Sequence, residues 1–161
     1  MDTIVKGRIG YNLVEKQLLK NEWDIYTPVL ENTKIDCIIV KNNYLYKIQI
    51  KTIGFNARDN YKYIPVRKIS HNQGQYKIHT YENDVDYFIG VDIDTEDVYI
   101  VPISFIAKYK SSISINKLTE FKNNFTQLER QIGNDLNECD DIGETLTGNT
   151  EGMNNQPVES R

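Results

Sequence analysis

Over residues 7–21, GRIGYNLVEKQLLKN, the apolar side chains Tyr11, Val14 and Leu18 recur at the i, i+3, i+7 spacing of one buried helix face. The chain is therefore expected to open with an amphipathic helix that stops near Asn21. The period then changes. WDIYT at 23–27 is rich in strand formers and ends at Pro28, and IDCIIV at 35–40 is a short, nearly continuous apolar strand. The polar turn KNN at 41–43 follows, and then YLYKIQIKT at 44–52, so that 35–52 reads as a hairpin. Side chains alternate across a strand, which puts Lys47, Gln49 and Lys51 on one side and Tyr44, Tyr46, Ile48 and Ile50 on the other, toward a core.

Residues 53–60, IGFNARDN, read as a loop from their Gly and Asn content, and 61–69 as a strand weakened by Pro65. A turn is expected at 71–74, strands at 86–93 and 97–103 joined by the turn DTE, and a helical turn at 104–110. Leu118, Phe121, Phe125, Leu128 and Ile132 form a stripe at helical spacing, which predicts a helix over 116–132 whose apolar face is core or a subunit contact. From residue 133 no periodicity survives; the expected organisation is one folded domain over 1–132 and a disordered acidic tail over 133–161. The fold class is α/β (α+β), helices packed on a mixed sheet.

Charge sharpens this picture. The 161 residues carry a net charge of −4, yet residues 131–161 hold seven acids against Arg161 alone, and the first 130 residues are net positive with 18 bases and 16 acids. Residues 41–81 hold eight bases and one acid, Asp59; residues 82–97 hold seven acids and no base. One side of the fold is thus expected to face a polyanion, a solvated charge mosaic being the alternative. Cys37 and Cys139 are too few for a disulfide framework and are expected to stay unpaired in a reducing cytoplasm. No apolar signal core opens the sequence and no apolar run approaches the roughly 20 residues of a membrane helix. The chain is read as soluble and cytoplasmic.

In the hairpin, Asp36 opens one strand while Gln49 and Lys51 lie near the end of the next, and register decides whether they converge. If they do, a carboxylate, an amide oxygen and an ammonium share one small site. That set suits phosphodiester hydrolysis: Asp36 and Gln49 as hard oxygen ligands for Mg²⁺ (or Mn²⁺), and Lys51 orienting the attacking water or meeting the charge that develops on the phosphate. Taken alone, Asp and Q-x-K are common and equally describe a solvated strand face. His71 and His79 lack zinc-site spacing, and the acidic run 82–97 lacks the Gly and closing Glu of a calcium loop.

The whole run from Lys6 to Thr52, KGRIGYNLVEKQLLKNEWDIYTPVLENTKIDCIIVKNNYLYKIQIKT, resembles the front half of a PD-(D/E)XK nuclease. K-G-x-I-G at 6–10, Pro28, Ile35-Asp36 and Gln49-Ile50-Lys51-Thr52 fall in order, and Tyr76, VDYFIGV at 85–91 and VYIVPIS at 98–104 resemble the back half. The resemblance covers about residues 5–130. It is strongest to the small endonucleases of this superfamily that include a bacterial, group I intron-encoded homing endonuclease. It implies a restriction-endonuclease-like core and catalytic roles for Asp36, Gln49 and Lys51. Gln49 stands where the family usually has Asp or Glu. Tyr11 stands where relatives place a metal-linked Glu; Glu15, one turn and roughly 6 Å further along the helix, faces nearly the same way and is the candidate substitute.

The resemblance implies a metal-dependent, site-specific endonuclease acting on double-stranded DNA, a homing enzyme by its nearest likeness. Cutting both strands implies a homodimer or homotetramer. Arg58, Lys62, Arg67 and Lys68 are candidates for phosphate contacts, and Gln73 and Gln75, with Asn72, for base reading from a β-ribbon. Two other readings stay open: a structure-specific nuclease resembling a Holliday-junction resolvase, and a catalytically silent DNA-binding protein, which Tyr11 in place of Glu favours.

Overall fold

The computed structural model describes residues 1–29, 34–72, 75–79, 81 and 83–129, with the backbone alone for 68–72 and 75–79. Helix α1 spans Thr3–Lys20 and so begins four residues earlier than its apolar spacing suggests. The reason is a cap: the Asp2 carboxylate accepts a hydrogen bond from the Ile4 amide at 2.9 Å, satisfying a donor left open at the helix start. The helix stops at Asn21, whose side-chain amide donates to the Gln17 carbonyl at 2.8 Å.

Among the described residues ten strands follow: β1 (Asp24–Tyr26), β2 (Cys37–Lys41), β3 (Tyr44–Thr52), β4 (Gly54–Asn56), β5 (Tyr61–Pro65), β6 (Lys68–Asn72), β7 (Gln75–His79), β8 (Tyr87–Val91), β9 (Val98–Pro102) and β10 (Ser112–Ser114). A short helix, α2 (Ile103–Ile106), follows β9. The central sheet has the order β1-β2-β3-β8-β9. Its β3–β8 pair is parallel and its other pairs are antiparallel, which is the expected mixed sheet with flanking helices. The β2–β3 turn is two residues long. Asn42 and Asn43 both have positive φ, 52° and 68°, the geometry of a type I′ turn that matches strand twist and that Asn tolerates.

Each face of the sheet carries its own core. Val14 and Leu18 of α1 pack with Trp23, Ile39, Ile48 and Ile89 on one face. Ile64, Phe88, Val101, Ile106, Ile113 and Leu118 pack on the other. Gly10 lets α1 approach the sheet closely: a Cβ there would lie 2.6 Å from Thr52 Cγ2. Gly90 does the same on the second face, where a Cβ would collide with Ile64.

Several expectations are corrected. The loop read at 53–60 contains β4, which pairs with β5. The single strand read at 61–69 is two strands in different sheets; β5 ends at Pro65, pairs with β10 (which had no sequence signal), and the chain leaves to form the β6–β7 ribbon. The helix read over 116–132 is absent across its first part. Residues 115–117 and 119–121 are 3₁₀ turns, and 126–129 are helical. Asn123 breaks the helix with a φ of 51° and exchanges hydrogen bonds with both backbone groups of Val98, hooking the chain across the β9 edge. Leu118 and Phe121 therefore enter one core while Phe125 and Leu128 enter the other. The 133–161 tail, Ile132 and Gln73 lie outside the described residues, as do the side chains of Lys68, Gln75, His71, Tyr76 and His79. Among the described residues no helix is long and apolar enough to cross a membrane.

Candidate active site

The site is built on the β2–β3 register. Cys37 pairs with Ile48, and one residue earlier the Asp36 amide also donates to the Ile48 carbonyl at 2.8 Å, which brings Asp36 in at the end of the ladder beside Gln49 and Ile50. There β2 has ended, and the carboxylate takes over the ladder: Asp36 Oδ2 accepts from the Ile50 amide at 2.6 Å and from Gln49 Nε2. Gln49 Nε2 also reaches the Ile50 carbonyl at 3.3 Å. A carboxylate, an amide and a backbone carbonyl are thereby gathered at one point. Gln49 is buried, and Lys51 lies two residues on, on the same side of β3, as the alternation predicts.

The ammonium of Lys51 donates to the Tyr81 hydroxyl at 3.3 Å and lies 5.1 Å from the centre of that ring. Burial, reinforced by the negative charge of Asp36, pushes the Tyr81 phenol above its ordinary pKa. Tyr81 had no sequence signal, because its contact with Lys51 spans 30 residues.

Tyr11 and Glu15 reach the region from α1. The Tyr11 phenol is pushed up to about 12, first by burial and then by the charges of Cys37, Glu15 and Asp36, against the lowering effect of Arg8. Burial, then Asp36 and Glu15, hold the Cys37 thiol up at about 12 as well. Asp36 and Glu15 thus act on the same neighbours. Arg8, also unsignalled in the sequence, places its guanidinium 5.5 Å from the Tyr11 ring centre. The lysine of K-G-x-I-G has a structural task, since Lys6 Nζ donates to the Ile53 carbonyl at 3.2 Å and ties α1 to the end of β3.

The basic candidates separate. Arg58 is exposed, on a turn whose amides are held by Asn56 Oδ1, and Arg67 is half-buried. Lys62 is not a free phosphate ligand: it is ion-paired with the buried Asp92 at 2.6 Å and with Asp94 at 3.5 Å, and the hydrogen bond to Asp92 raises its pKa. The acidic 92–97 turn therefore neutralises one of the bases that local composition offered to DNA.

Asp36, Gln49 and the Ile50 carbonyl are hard oxygen donors of the kind Mg²⁺ and Mn²⁺ prefer. Among the described residues no group of three His, Cys, Asp or Glu side chains assembles a metal site.

A family profile described as PD-(D/E)XK endonuclease matches residues 1–130. Among solved structures, a bacterial homing endonuclease, I-Ssp6803I, superposes with a TM-score of 0.66 at 22% identity, covering 71% of this chain and 78% of that one. No curated protein matches the chain. The profile spans well over half of the sequence: the chain belongs to the PD-(D/E)XK endonucleases, enzymes that hydrolyse DNA and generally use divalent metal ions to do so.

Proposed function

We propose that the protein is a site-specific, Mg²⁺- or Mn²⁺-dependent endonuclease of double-stranded DNA, with Asp36, Gln49 and Lys51 as its catalytic residues. The observation that carries this reading is the meeting of the Asp36 carboxylate with Gln49 and the Ile50 carbonyl, and Lys51 on the same side of the strand. Asp36, Gln49 Oε1 and the Ile50 carbonyl would hold the cation. When bound, it polarises the scissile phosphate and lowers the pKa of a water.

The protein's own groups do the rest. The Ile50 amide and Gln49 Nε2 hold the Asp36 carboxylate in place before substrate arrives, and Gln49 would turn its amide over to present Oε1 to the cation. Lys51 presents its ammonium to the attacking water or to the phosphate oxygen on which negative charge grows. Glu15 supplies a second carboxylate from α1, in the role that Tyr11 lacks the charge to fill. Arg58, Arg67 and Lys68 would contact backbone phosphates, and Asn72 and Gln75, paired at the described end of the β6–β7 ribbon, would flank the base-reading tip that includes Gln73. One such site cuts one strand, so we infer a homodimer or homotetramer. The similarity to a bacterial homing endonuclease supports a homing role as part of this reading.

The test is incubation of the protein with plasmid DNA and Mg²⁺, with and without chelator. Discrete fragments that disappear with chelator are expected. Lys51→Ala should lose cutting by roughly 10²–10³-fold, as for removal of a transition-state donor, while duplex binding persists. Intact plasmid across divalent metals, with binding retained, would instead favour the silent DNA-binding reading.

A further inference from the structure

We propose that Tyr81 is the positioning residue of the active site, a buried phenol that holds the Lys51 ammonium in place. The inference rests on the reading of Lys51 as the catalytic lysine. Tyr81 is 4% exposed and lies on the sheet face that carries Gln49 and Lys51. Its ring meets Phe88 edge-on, centroids 5.2 Å apart at 81°, and Phe88 is in register with Gln49 across the β3–β8 pair.

The backbone of Tyr81 is fixed as firmly as its ring. Its carbonyl accepts from the Asp84 amide at 2.9 Å and the Val85 amide at 3.3 Å. The Asp84 carboxylate in turn pairs with Lys34 at 2.6 Å, two residues before Asp36. This exposed ion pair joins Asp84 to the segment that leads into Asp36.

Lysine is the side chain most in need of such a partner. Its four-carbon stem has many rotamers, and a transition-state donor must be in place before charge develops. Tyr81 supplies a hydroxyl oxygen that accepts from Nζ, and its ring centre lies 5.1 Å from the same cation. The phenol keeps its proton beside Asp36, so it remains neutral and does not compete with phosphate for the ammonium.

Tyr81→Phe and Tyr81→Leu test this in the full chain. The side-chain Hε resonances of Lys51, assigned by their disappearance in Lys51→Met, should be shifted upfield by the ring in the unmodified protein. They should move toward the free-lysine position in Tyr81→Phe and fully reach it in Tyr81→Leu. On plasmid DNA with Mg²⁺, Tyr81→Phe should cut about ten- to a hundredfold more slowly at unchanged duplex affinity, the loss expected for a misplaced catalytic group. Identical Lys51 resonances in the unmodified protein and Tyr81→Phe would overturn the proposal. So would unchanged cutting by Tyr81→Phe in a protein that cuts. If the unmodified protein leaves DNA intact, the nuclease reading falls, and the resonances alone decide whether Tyr81 holds Lys51.

Discussion

Tyr11 brings a buried hydroxyl, and its cost, to the edge of the candidate site. Its hydroxyl is buried and has no hydrogen-bond partner among the described residues. A buried hydroxyl without a partner costs about 1–3 kcal/mol, whereas the ring contributes its apolar area whether or not the hydroxyl is there. Tyr11→Phe should therefore stabilise the fold by about 1 kcal/mol, read as a rise of roughly 3–5 °C in thermal midpoint. The alkaline limb gives an independent check. The folded-state pKa of about 12 lies above the ordinary value of 10.0. The unfolded chain thus ionises first, and the contribution of this group is intact below about pH 10 and lost as pH climbs toward 12. Melting curves between these limits should fall less steeply for Tyr11→Phe; a parallel fall in both proteins would show that the phenol is better solvated than its burial indicates.

Element by element, legibility in the sequence follows the range of the interactions that decide each structure. The β2–β3 hairpin was readable because its determinants are local: strict alternation from Tyr44 to Lys51 and an Asn-Asn turn that accepts positive φ. That one hairpin carries Asp36, Gln49 and Lys51, so the centre of the candidate site was readable with it. The stretch 116–132 was misread because period alone reports that Leu118, Phe121, Phe125 and Leu128 are buried, not that Asn123 sends them to opposite faces of a sheet. Tyr81 and the Lys62–Asp92 pair each join residues 30 apart, a distance at which no local pattern exists. Gly10 links the two regimes, since a glycine inside a helix is unfavourable locally and is explained only by Thr52 and Val91 beneath it. Gly10→Ala should gain about 1 kcal/mol in helix propensity and lose roughly 1–3 kcal/mol to overpacking against the sheet. The β-branched Thr52 has little room to yield, so the net expected change is a loss of about 1 kcal/mol, with α1 displaced and Glu15 carried away from Asp36. Chemical denaturation checks the stability, and slower DNA cutting by this variant checks the displacement. Stability raised to the full propensity gain would mean that α1 can sit farther from the sheet without penalty.

Across the whole molecule, the sequence-level impression of a basic middle segment divides into charges with different tasks. Lys62 holds the β4-β5-β10 sheet to the turn after β8 through Asp92, which is 5% exposed and also accepts from the Asp94 amide at 3.2 Å. Arg58 stands exposed within the β4–β5 connection. A phosphate contact releases counterions, so each one removed lowers the salt slope of binding by about one; an internal ion pair releases none. Lys62→Met should therefore leave the slope of log K against log salt unchanged while costing about 1–2 kcal/mol of stability. That figure is the 3–5 kcal/mol of an uncompensated buried charge discounted for the exposure of Lys62. Arg58→Ala should do the reverse, keeping stability within about 0.5 kcal/mol and reducing the slope by about one. Fluorescence anisotropy on a labelled duplex at several salt concentrations, alongside urea melts, separates the two. A lower slope for Lys62→Met would mean that Lys62 exchanges Asp92 for DNA on binding, and that the acidic turn after β8 is a gate on the binding surface instead of a brace for the fold.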